Sequence, residues 1–337
     1  MPPSWRGDST VSLGCWSPPT ASPKAAYSLS FSGWCSWQPW TGTAEVEELE
    51  AILAACDLEF TYPDGTLALR GLSLEIERGE KVAVLGPNGA GKSTLFLHFN
   101  GIFRPRRGKI LWQGREVRYD RSFLAALRQK VGIVFQDPDS QLFAASVFQE
   151  VSFGPLNMGL PREEAKRRVE RALAVTGIED LKDKPTHFLS YGQKKRVCIA
   201  AVLAMDPEVL VLDEPTASLD PLLSEQITGL MEEINRVGKT VVISTHDVDL
   251  AYSWADRIFV MKGGQLLAGG RPEEVFLQPQ VVRQAGLTLP WILEVYLELR
   301  RRGWSLGPRP PRRKEDLWAC LPSASQAFGQ LFRPANG

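Results

Sequence analysis

Nine residues constrain this chain more than any others: Gly86-Pro87-Asn88-Gly89-Ala90-Gly91-Lys92-Ser93-Thr94. They meet the pattern G-x-x-x-x-G-K-[ST] at every fixed position. The apolar run Lys81-Val82-Ala83-Val84-Leu85 precedes them at strand length, and residues 94–100 follow as a helix stopped by Gly101. A strand, a Gly-rich loop and a helix in that order suit a polyphosphate. The glycines let backbone N–H groups turn inward, and the helix N-terminus adds its positive end to the same place. In such a loop Lys92 reaches the β- and γ-phosphates and the Ser93 hydroxyl ligates Mg²⁺. A chance Gly-rich turn would lack flanks this regular. The chain is expected to bind a nucleoside triphosphate at residues 86–94.

Bulk properties narrow the setting. The 337 residues are 44% hydrophobic and 23% charged with a mean hydropathy of −0.14, the balance of a soluble globular protein. Lys+Arg and Asp+Glu both number 39, so no global field points to nucleic acid or an anionic surface. No apolar run reaches the length of about 18 residues that spanning a bilayer needs. The N-terminus lacks a basic stretch followed by a long apolar core, which argues against a secretory signal. Cys15, Cys35, Cys56, Cys198 and Cys320 are scattered without a C-x-x-C pair. That suits a reducing cytoplasm and argues against a zinc site or a disulfide framework.

Residues 1–45 are rich in Ser, Pro, Thr and Gly, hold half of the ten tryptophans, and show no helical or strand period. They are expected to be unstructured; a Trp-based partner patch and a start of synthesis near Val46 are the other readings. Order is expected from Ile52. A strand ends at Tyr62 in the turn Pro63-Asp64-Gly65, a second covers residues 69–76, and Arg78-Gly79-Glu80 leads into the loop strand. Tyr62 could stack on a purine or serve as an ordinary strand tyrosine. Residues 108–112 and 117–119 read as a hairpin around Gln113-Gly114, and residues 131–135 as a buried strand ending at Gln136.

Residues 137–207 change to helical character, an insertion between two pieces of α/β core. Ser190 is a good N-cap for a helix running to Ala204. The run Val209-Val211 with Leu210 and Leu212 is apolar on both faces and ends at Asp213-Glu214-Pro215. Catalytic groups gather at the carboxyl ends of such central parallel strands. A helix over residues 222–237 and a strand over 240–244 lead to His246, which could face phosphate or be a satisfied core histidine. Residues 271–302 read as a helical extension, and 303–337 as a disordered Pro/Arg-rich tail. Its basic runs at Arg300-Arg301-Arg302 and Arg312-Arg313-Lys314 are solvated, or touch lipid headgroups.

Taken in order, these motifs resemble the ATP-binding subunit of ABC transporters over roughly residues 52–302. Residues 86–93 are similar to that family's phosphate loop, and Gln136 to its lone glutamine at the core–helical junction. Leu189-Ser190-Tyr191-Gly192-Gln193 is similar to the signature. Asp213 and Glu214 match the magnesium-binding aspartate and the catalytic glutamate. Ala217-Ser218-Leu219-Asp220 matches the loop that reaches across the dimer, His246 the switch histidine, and Tyr62 the base-stacking aromatic. The resemblance implies an α/β fold: a P-loop NTPase core of ABC ATPase type at residues 52–270, with an antiparallel β subdomain and an inserted helical subdomain. It implies ATP and Mg²⁺ as cofactors, with Ser93, Gln136 and, through water, Asp213 around the metal.

The residue types fit the chemistry. An attacking water must be oriented and deprotonated beside dense phosphate charge, which suits the Glu214 carboxylate next to a metal ligand. If the family geometry holds, the signature helix cannot reach phosphates bound by its own chain. Ser190 and Gly192, at a helix N-terminus, would close on the γ-phosphate of a second subunit, which implies a head-to-tail dimer. The commonest signature has glycine where this chain has Tyr191.

A narrower similarity is to the ATPase subunit of cobalt-type energy-coupling-factor importers. It rests on residues 135–143, 153–160, 189–196 and 244–252. This implies a homodimer, a transmembrane coupling subunit and a substrate-binding membrane subunit for Co²⁺ or Ni²⁺. It also implies a peripheral place on the cytoplasmic face of the cell membrane, and no nucleic acid. His98, His187 and His246 are too few and scattered to form a cobalt site here. The alternatives are a vitamin-importing ATPase of the same kind, or an ABC-type ATPase acting on DNA or the ribosome, against which balanced charge argues. A P-loop kinase or small GTPase would leave the signature and His246 unexplained.

Overall fold

Period-two patterning on one set of strands and continuous apolar runs on another produce two sheets. The computed structural model describes residues 51–321, so the readings for residues 1–45 and 322–337 lie outside it. In chain order the first half contains β1 (Ala51–Thr61), β2 (Leu67–Glu77), β3 (Lys81–Leu85), α1 (Lys92–Phe99), β4 (Arg107–Trp112), β5 (Arg115–Glu116), α2 (Arg121–Lys130) and β6 (Val131–Val134). Three helices follow, α3 (Val147–Asn157), α4 (Arg162–Thr176) and α5 (Tyr191–Leu203). The core resumes with β7 (Val209–Leu212), α6 (Pro221–Arg236), β8 (Thr240–Thr245), α7 (Val248–Trp254), β9 (Arg257–Lys262) and β10 (Gln265–Gly270). The C-terminal part adds α8 (Pro272–Phe276), α9 (Pro279–Ala285), α10 (Trp291–Arg301) and α11 (Lys314–Cys320).

The smaller sheet is antiparallel in the order β2-β1-β4-β5. The larger runs β10-β9-β3-β8-β7-β6, parallel except for the edge strand β10. β7 and β8 are buried at every residue. Alternate side chains serve opposite faces and both faces are covered, which is why β7 is apolar throughout and β8 is apolar at residues 241–243. Ala83, Leu85, Leu210, Leu212, Val241 and Ile243 join Ile227 and Met231 of α6 in one core. Val82, Val84, Val209, Val211 and Val242 join Phe96 and Phe99 of α1 and Leu53 and Leu58 of the antiparallel sheet in another. A third core belongs to the helical insertion, built from Val147 and Val151, Val169 and Leu173, and Val197 and Ala200. α5 ties the insertion to the sheet, because its Cys198, Ile199 and Val202 pack in the first core.

The structure corrects two expectations. The hairpin's second strand lies at Arg115–Glu116 rather than at residues 117–119; only the Val117 N–H continues the pairing, to the Ile110 carbonyl. Residues 303–320 are not a solvated tail. Leu317 on α11 is 2% exposed and belongs with Leu306 to the first core. The Tyr296 hydroxyl donates to the Gly307 carbonyl at 2.7 Å. Arg312 donates to the Tyr252 carbonyl at 3.0 and 2.9 Å and to the Ala255 carbonyl, and pairs with Glu273 at 3.3 Å. These carbonyls end α7, and helices end with unsatisfied carbonyls that a guanidinium satisfies. Arg313 pairs with Glu232 at 2.8 Å, and Arg301 and Arg302 both pair with Glu298. Arg312 is therefore engaged within the protein, while the Arg301 and Arg302 side chains, 73% and 66% exposed, stay solvated as expected.

One buried histidine sets a pH dependence. His98 on α1 is fully buried, with Nδ1 2.7 Å from the Thr94 carbonyl and its ring edge-on to Phe60. Burial lowers its pKa below the ordinary 6.5. The folded state keeps it neutral while the unfolded chain takes up a proton near that value. Its contribution is full above pH 6.5 and is lost as pH falls below, at up to about 1.4 kcal/mol per pH unit. Urea unfolding at about pH 7.5 and about pH 5.5 is expected to show a smaller acid loss for His98→Phe than for the parent. Equal losses would assign the acid sensitivity to other groups.

Candidate functional site

The phosphate loop is shaped by two glycines that no other residue could replace without movement. A Cβ on Gly86, at φ 152°, would lie 2.2 Å from the Met261 carbonyl oxygen. One on Gly91, at φ 101°, would lie 2.7 Å from the Ala68 carbonyl oxygen. Gly91 is also the N-cap of α1, so the left-handed turn aims the first turn of that helix at the cleft. Tyr62, Asn88, Gly89, Ala90, Gly91, Lys92, Ser93, Thr94, Gln136, Asp213 and Glu214 line one cleft of about 430 Å³. Gly86 and Pro87 stand behind it: their carbonyls accept from the Lys92 ammonium at 2.7 and 3.4 Å.

The carboxylates sit at the carboxyl end of β7, as a parallel strand ending in Asp-Glu requires. Asp213 and Glu214 are 7% and 6% exposed. Glu214 has φ 45°, a left-handed conformation that costs a non-glycine residue about 1–3 kcal/mol and is found at functional sites. It is held there by its N–H, which donates to the Ser244 hydroxyl at 2.8 Å, while that hydroxyl donates to the Asp213 carboxylate. Glu214 Oε2 lies 2.9 Å from His246 Nδ1, and Oε1 lies 3.6 Å from the Lys92 ammonium. A histidine and a cation are thus gathered at one carboxylate. Sequence reasoning missed Ser244. No local pattern marks it, since Thr240 and Thr245 of the same strand are also polar and buried.

Tyr62 lies just past the end of β1, at the edge of the cleft. Its hydroxyl shares a 2.9 Å hydrogen bond with the Thr94 hydroxyl, and its ring stands edge-on to Phe60 and Phe103. It is half-buried and forms a wall of the cleft.

The signature residues do not line this cleft. Ser190 caps α5 through its hydroxyl, which accepts from the Gln193 N–H at 3.3 Å, and the Gln193 side chain accepts from the Ser190 N–H at 3.0 Å. This reciprocal cap holds the helix start without any ligand. Tyr191 places its hydroxyl 3.2 Å from the Gln136 carbonyl, to which it donates. Asp220 caps α6 by accepting from the Leu223 N–H at 2.9 Å, and Ser218 has φ 63°. Ser218 and His246 line a second depression of about 410 Å³ next to the first.

Gly192 has a packing role within its own chain, since a Cβ there would lie 2.7 Å from Leu223 Cδ1. Gly192→Ala is expected to lower stability by about 1–3 kcal/mol through overpacking, and Leu223→Ala to recover part of it. Thermal unfolding of the two single variants and the double variant checks this. A stable Gly192→Ala that has lost hydrolysis would instead locate the need for glycine at a close approach the added Cβ blocks, since the backbone N–H is retained.

The residues present fit Mg²⁺. The Ser93 hydroxyl, the Gln136 amide oxygen and the Asp213 carboxylate are hard oxygen donors sharing the cleft. Mg²⁺ favours such a sparse protein set, completed by water and phosphate oxygens. Among the described residues no cluster of three His, Cys, Asp or Glu side chains offers a rival cage.

A phosphate cradle, carboxylates at a parallel strand's end and a helical insertion between them define a class, the ABC-type ATPase cassette. The family model described as ABC transporter matches residues 69–217. A solved cassette dimer in a post-hydrolysis state, bound to ADP and Pi, is 29% identical, covers 65% of this chain and 98% of its own, and superposes with a TM-score of 0.60. CbiO1 from Clostridium perfringens, described as part of the ABC transporter complex cbiONQ, is 50% identical. It covers 75% of this chain and 98% of its own at a TM-score of 0.64. The energy-coupling factor transporter ATP-binding protein EcfA of Methanocaldococcus jannaschii is 51% identical over 251 residues, 74% of this chain and 90% of that protein. EcfA3 of Clostridium perfringens is 53% identical over 242 residues, 72% of this chain and 85% of that one. The chain belongs to the energy-coupling factor transporter ATP-binding proteins and is an ABC ATPase.

Proposed function

We propose that this ATPase drives uptake of a transition-metal ion, cobalt before nickel, through membrane partners. The observation that carries the reading is the agreement of residues 135–143, 153–160, 189–196 and 244–252 with the cobalt-type pattern. The likeness to CbiO1 at 50% identity supports it. The partners are a second ATP-binding subunit, a transmembrane coupling subunit and a substrate-binding membrane subunit. Among the described residues no helix is long and apolar enough to cross a membrane, so passage of the ion falls to those partners. Phe143, Phe153 and Leu156 are 65%, 50% and 51% exposed just beyond the Gln136 loop, with the two rings 4.7 Å apart. An apolar patch in that place supports docking of a coupling subunit.

In this reading Lys92 binds the β- and γ-phosphates, leaving the Gly86 and Pro87 carbonyls that hold it. Tyr62 stacks on the base. Ser93, Gln136 and, through water, Asp213 would hold Mg²⁺, which would supply positive charge to the phosphate oxygens. Glu214 orients the attacking water and takes its proton, and His246, hydrogen-bonded to Glu214, faces the γ-phosphate. Ser190 and Gly192 of the second subunit cover the triphosphate, with Ser218 and Asp220 in the loop between the two sites. Hydrolysis needs both halves because the signature residues of one chain lie outside its own cleft.

Co-expression with the neighbouring membrane subunits tests the reading. The protein is expected to sediment with membranes, and labelled Co²⁺ is expected to accumulate in an ATP-dependent way, Ni²⁺ less so. Uptake of a vitamin without either ion would favour the vitamin-importing alternative, and purely soluble behaviour with the partners present would count against transport.

A further inference from the structure

One lysine is out of place by composition and burial. Lys195 lies on α5, two residues past the signature, and is 0% exposed. Taking an ammonium out of water costs several kcal/mol by general measure, and an apolar side chain of similar length would suit the position better for stability. Burial accordingly lowers its pKa from the ordinary lysine value, against the opposing pull of nearby acids that include Asp213, Asp137 and Glu214. Among the described residues no carboxylate pairs with it directly. Its partners are two backbone carbonyls, Phe135 at 3.0 Å and Gln136 at 2.8 Å.

Those carbonyls belong to the segment that leaves β6 and presents Gln136 to the nucleotide cleft. The other groups at that point are otherwise occupied. The Gln141 side chain accepts from the Phe135 N–H at 3.0 Å and donates to the Ile133 carbonyl at 3.3 Å. Two further side chains of α5 hold the same segment. Tyr191 donates to the Gln136 carbonyl at 3.2 Å, and Lys194 pairs with Asp139 at 2.6 Å. Positions 191, 194 and 195 are spaced by three and four residues, so they share one face of the helix. That face grips the Gln136 loop, and the N-cap of the same helix is Ser190.

We propose that Lys195 is a positioning residue: its buried ammonium fixes the backbone of Phe135 and Gln136, so that the Gln136 side chain and the signature helix move as one body. The inference rests on the role given above to Gln136 at the nucleotide and its metal. It also accounts for Tyr191 in place of glycine, because the Tyr191 hydroxyl adds a second donor to the Gln136 carbonyl. Through this link the geometry at a subunit's own nucleotide sets the height of the Ser190 end offered to the other subunit.

The test separates positioning from bulk stability by a binding readout. The full chain, with Glu214→Gln to prevent turnover, is titrated with a fluorescent ATP analogue with and without Mg²⁺. Lys195→Met keeps the length and apolar stem but removes the ammonium. Its Mg²⁺-free affinity is expected to equal the parent's, since residues 86–94 are untouched. The gain in affinity on adding Mg²⁺ is expected to fall about tenfold, the size typical of losing a group that orients a metal ligand. Its unfolding temperature is expected to stay close to the parent's, since relief of the ammonium's burial offsets leaving the Phe135 carbonyl without its donor. Lys195→Gln, which retains a donor, should fall between the two and serves if the methionine variant fails to fold. Gln136→Ala is the reference. If it loses the Mg²⁺ gain while Lys195→Met and Lys195→Gln keep it, the positioning role is overturned and the role of Gln136 stands. If Gln136→Ala also keeps the gain, the reading of Gln136 falls and the inference with it. Equal weakening with and without Mg²⁺ together with a lower unfolding temperature would make Lys195 a structural residue only.

Discussion

Glu214→Gln is expected to lower ATP turnover by about two to four orders of magnitude, the range for removing a general base, while ATP binding is kept. The substitution keeps shape at a site that is 6% exposed, so the strained backbone and its Ser244 support should remain. The amide oxygen can still face the Lys92 ammonium, and the amide can still hydrogen-bond His246. What disappears is the negative charge and the proton acceptor. Loss of the charge removes repulsion between position 214 and an incoming triphosphate, so affinity should hold or rise. Binding without turnover should then accumulate the closed dimer. Size-exclusion chromatography with ATP and Mg²⁺ reads the dimer, and phosphate release reads turnover. Hydrolysis at the parent rate would remove Glu214 from the role of base. Loss of both binding and turnover would mean that the carboxylate holds the cleft together rather than acting on water.

Such an outcome can be anticipated because the cleft's parts lie at short motifs whose chemistry is local. The loop at residues 86–94 needs positive φ at Gly86 and Gly91, and only glycine tolerates the carbonyls of Met261 and Ala68 there. A pattern with two such requirements is legible without coordinates. The same holds for Asp213 and Glu214, whose strand is apolar on both faces because both faces are covered. Less legible were contacts made by ordinary residues at long separation. Ser244 meets Asp213 and Glu214 across 31 and 30 positions, and no local pattern announces it. Lys195 reads as one more base in Lys194-Lys195-Arg196 until its burial is seen. The tail was misjudged for a related reason. Its anchors, among them Leu306, Leu317 and Arg312, are too scattered for any periodicity to reveal. Short helices such as α7, capped by Asp247 at both the Asp249 and Leu250 N–H groups, depend on that one side chain more than on period.

Lys92→Ala is expected to remove nucleotide binding and, separately, to destabilise the free protein. The ammonium is 7% exposed, and charge-assisted hydrogen bonds from such a group contribute about 1.5–3 kcal/mol each. Losing its contacts to the triphosphate should weaken affinity by at least about ten- to a hundredfold. The second effect comes from Glu214, which lies 3.6 Å away and is equally buried. Breaking a buried pair by deleting one partner costs up to about 3–5 kcal/mol, because the remaining charge is left uncompensated. The cost here should fall below that range, since the separation exceeds a hydrogen bond and His246 remains 2.9 Å from the carboxylate. The two effects separate in a double-mutant cycle. Adding Glu214→Gln to Lys92→Ala neutralises the stranded carboxylate, so thermal stability should recover while nucleotide affinity stays low. Recovery of both would show that Lys92 acts on the nucleotide only by holding Glu214. Recovery of neither would show that its hold on the Gly86 and Pro87 carbonyls, at 2.7 and 3.4 Å, is what shapes the cradle.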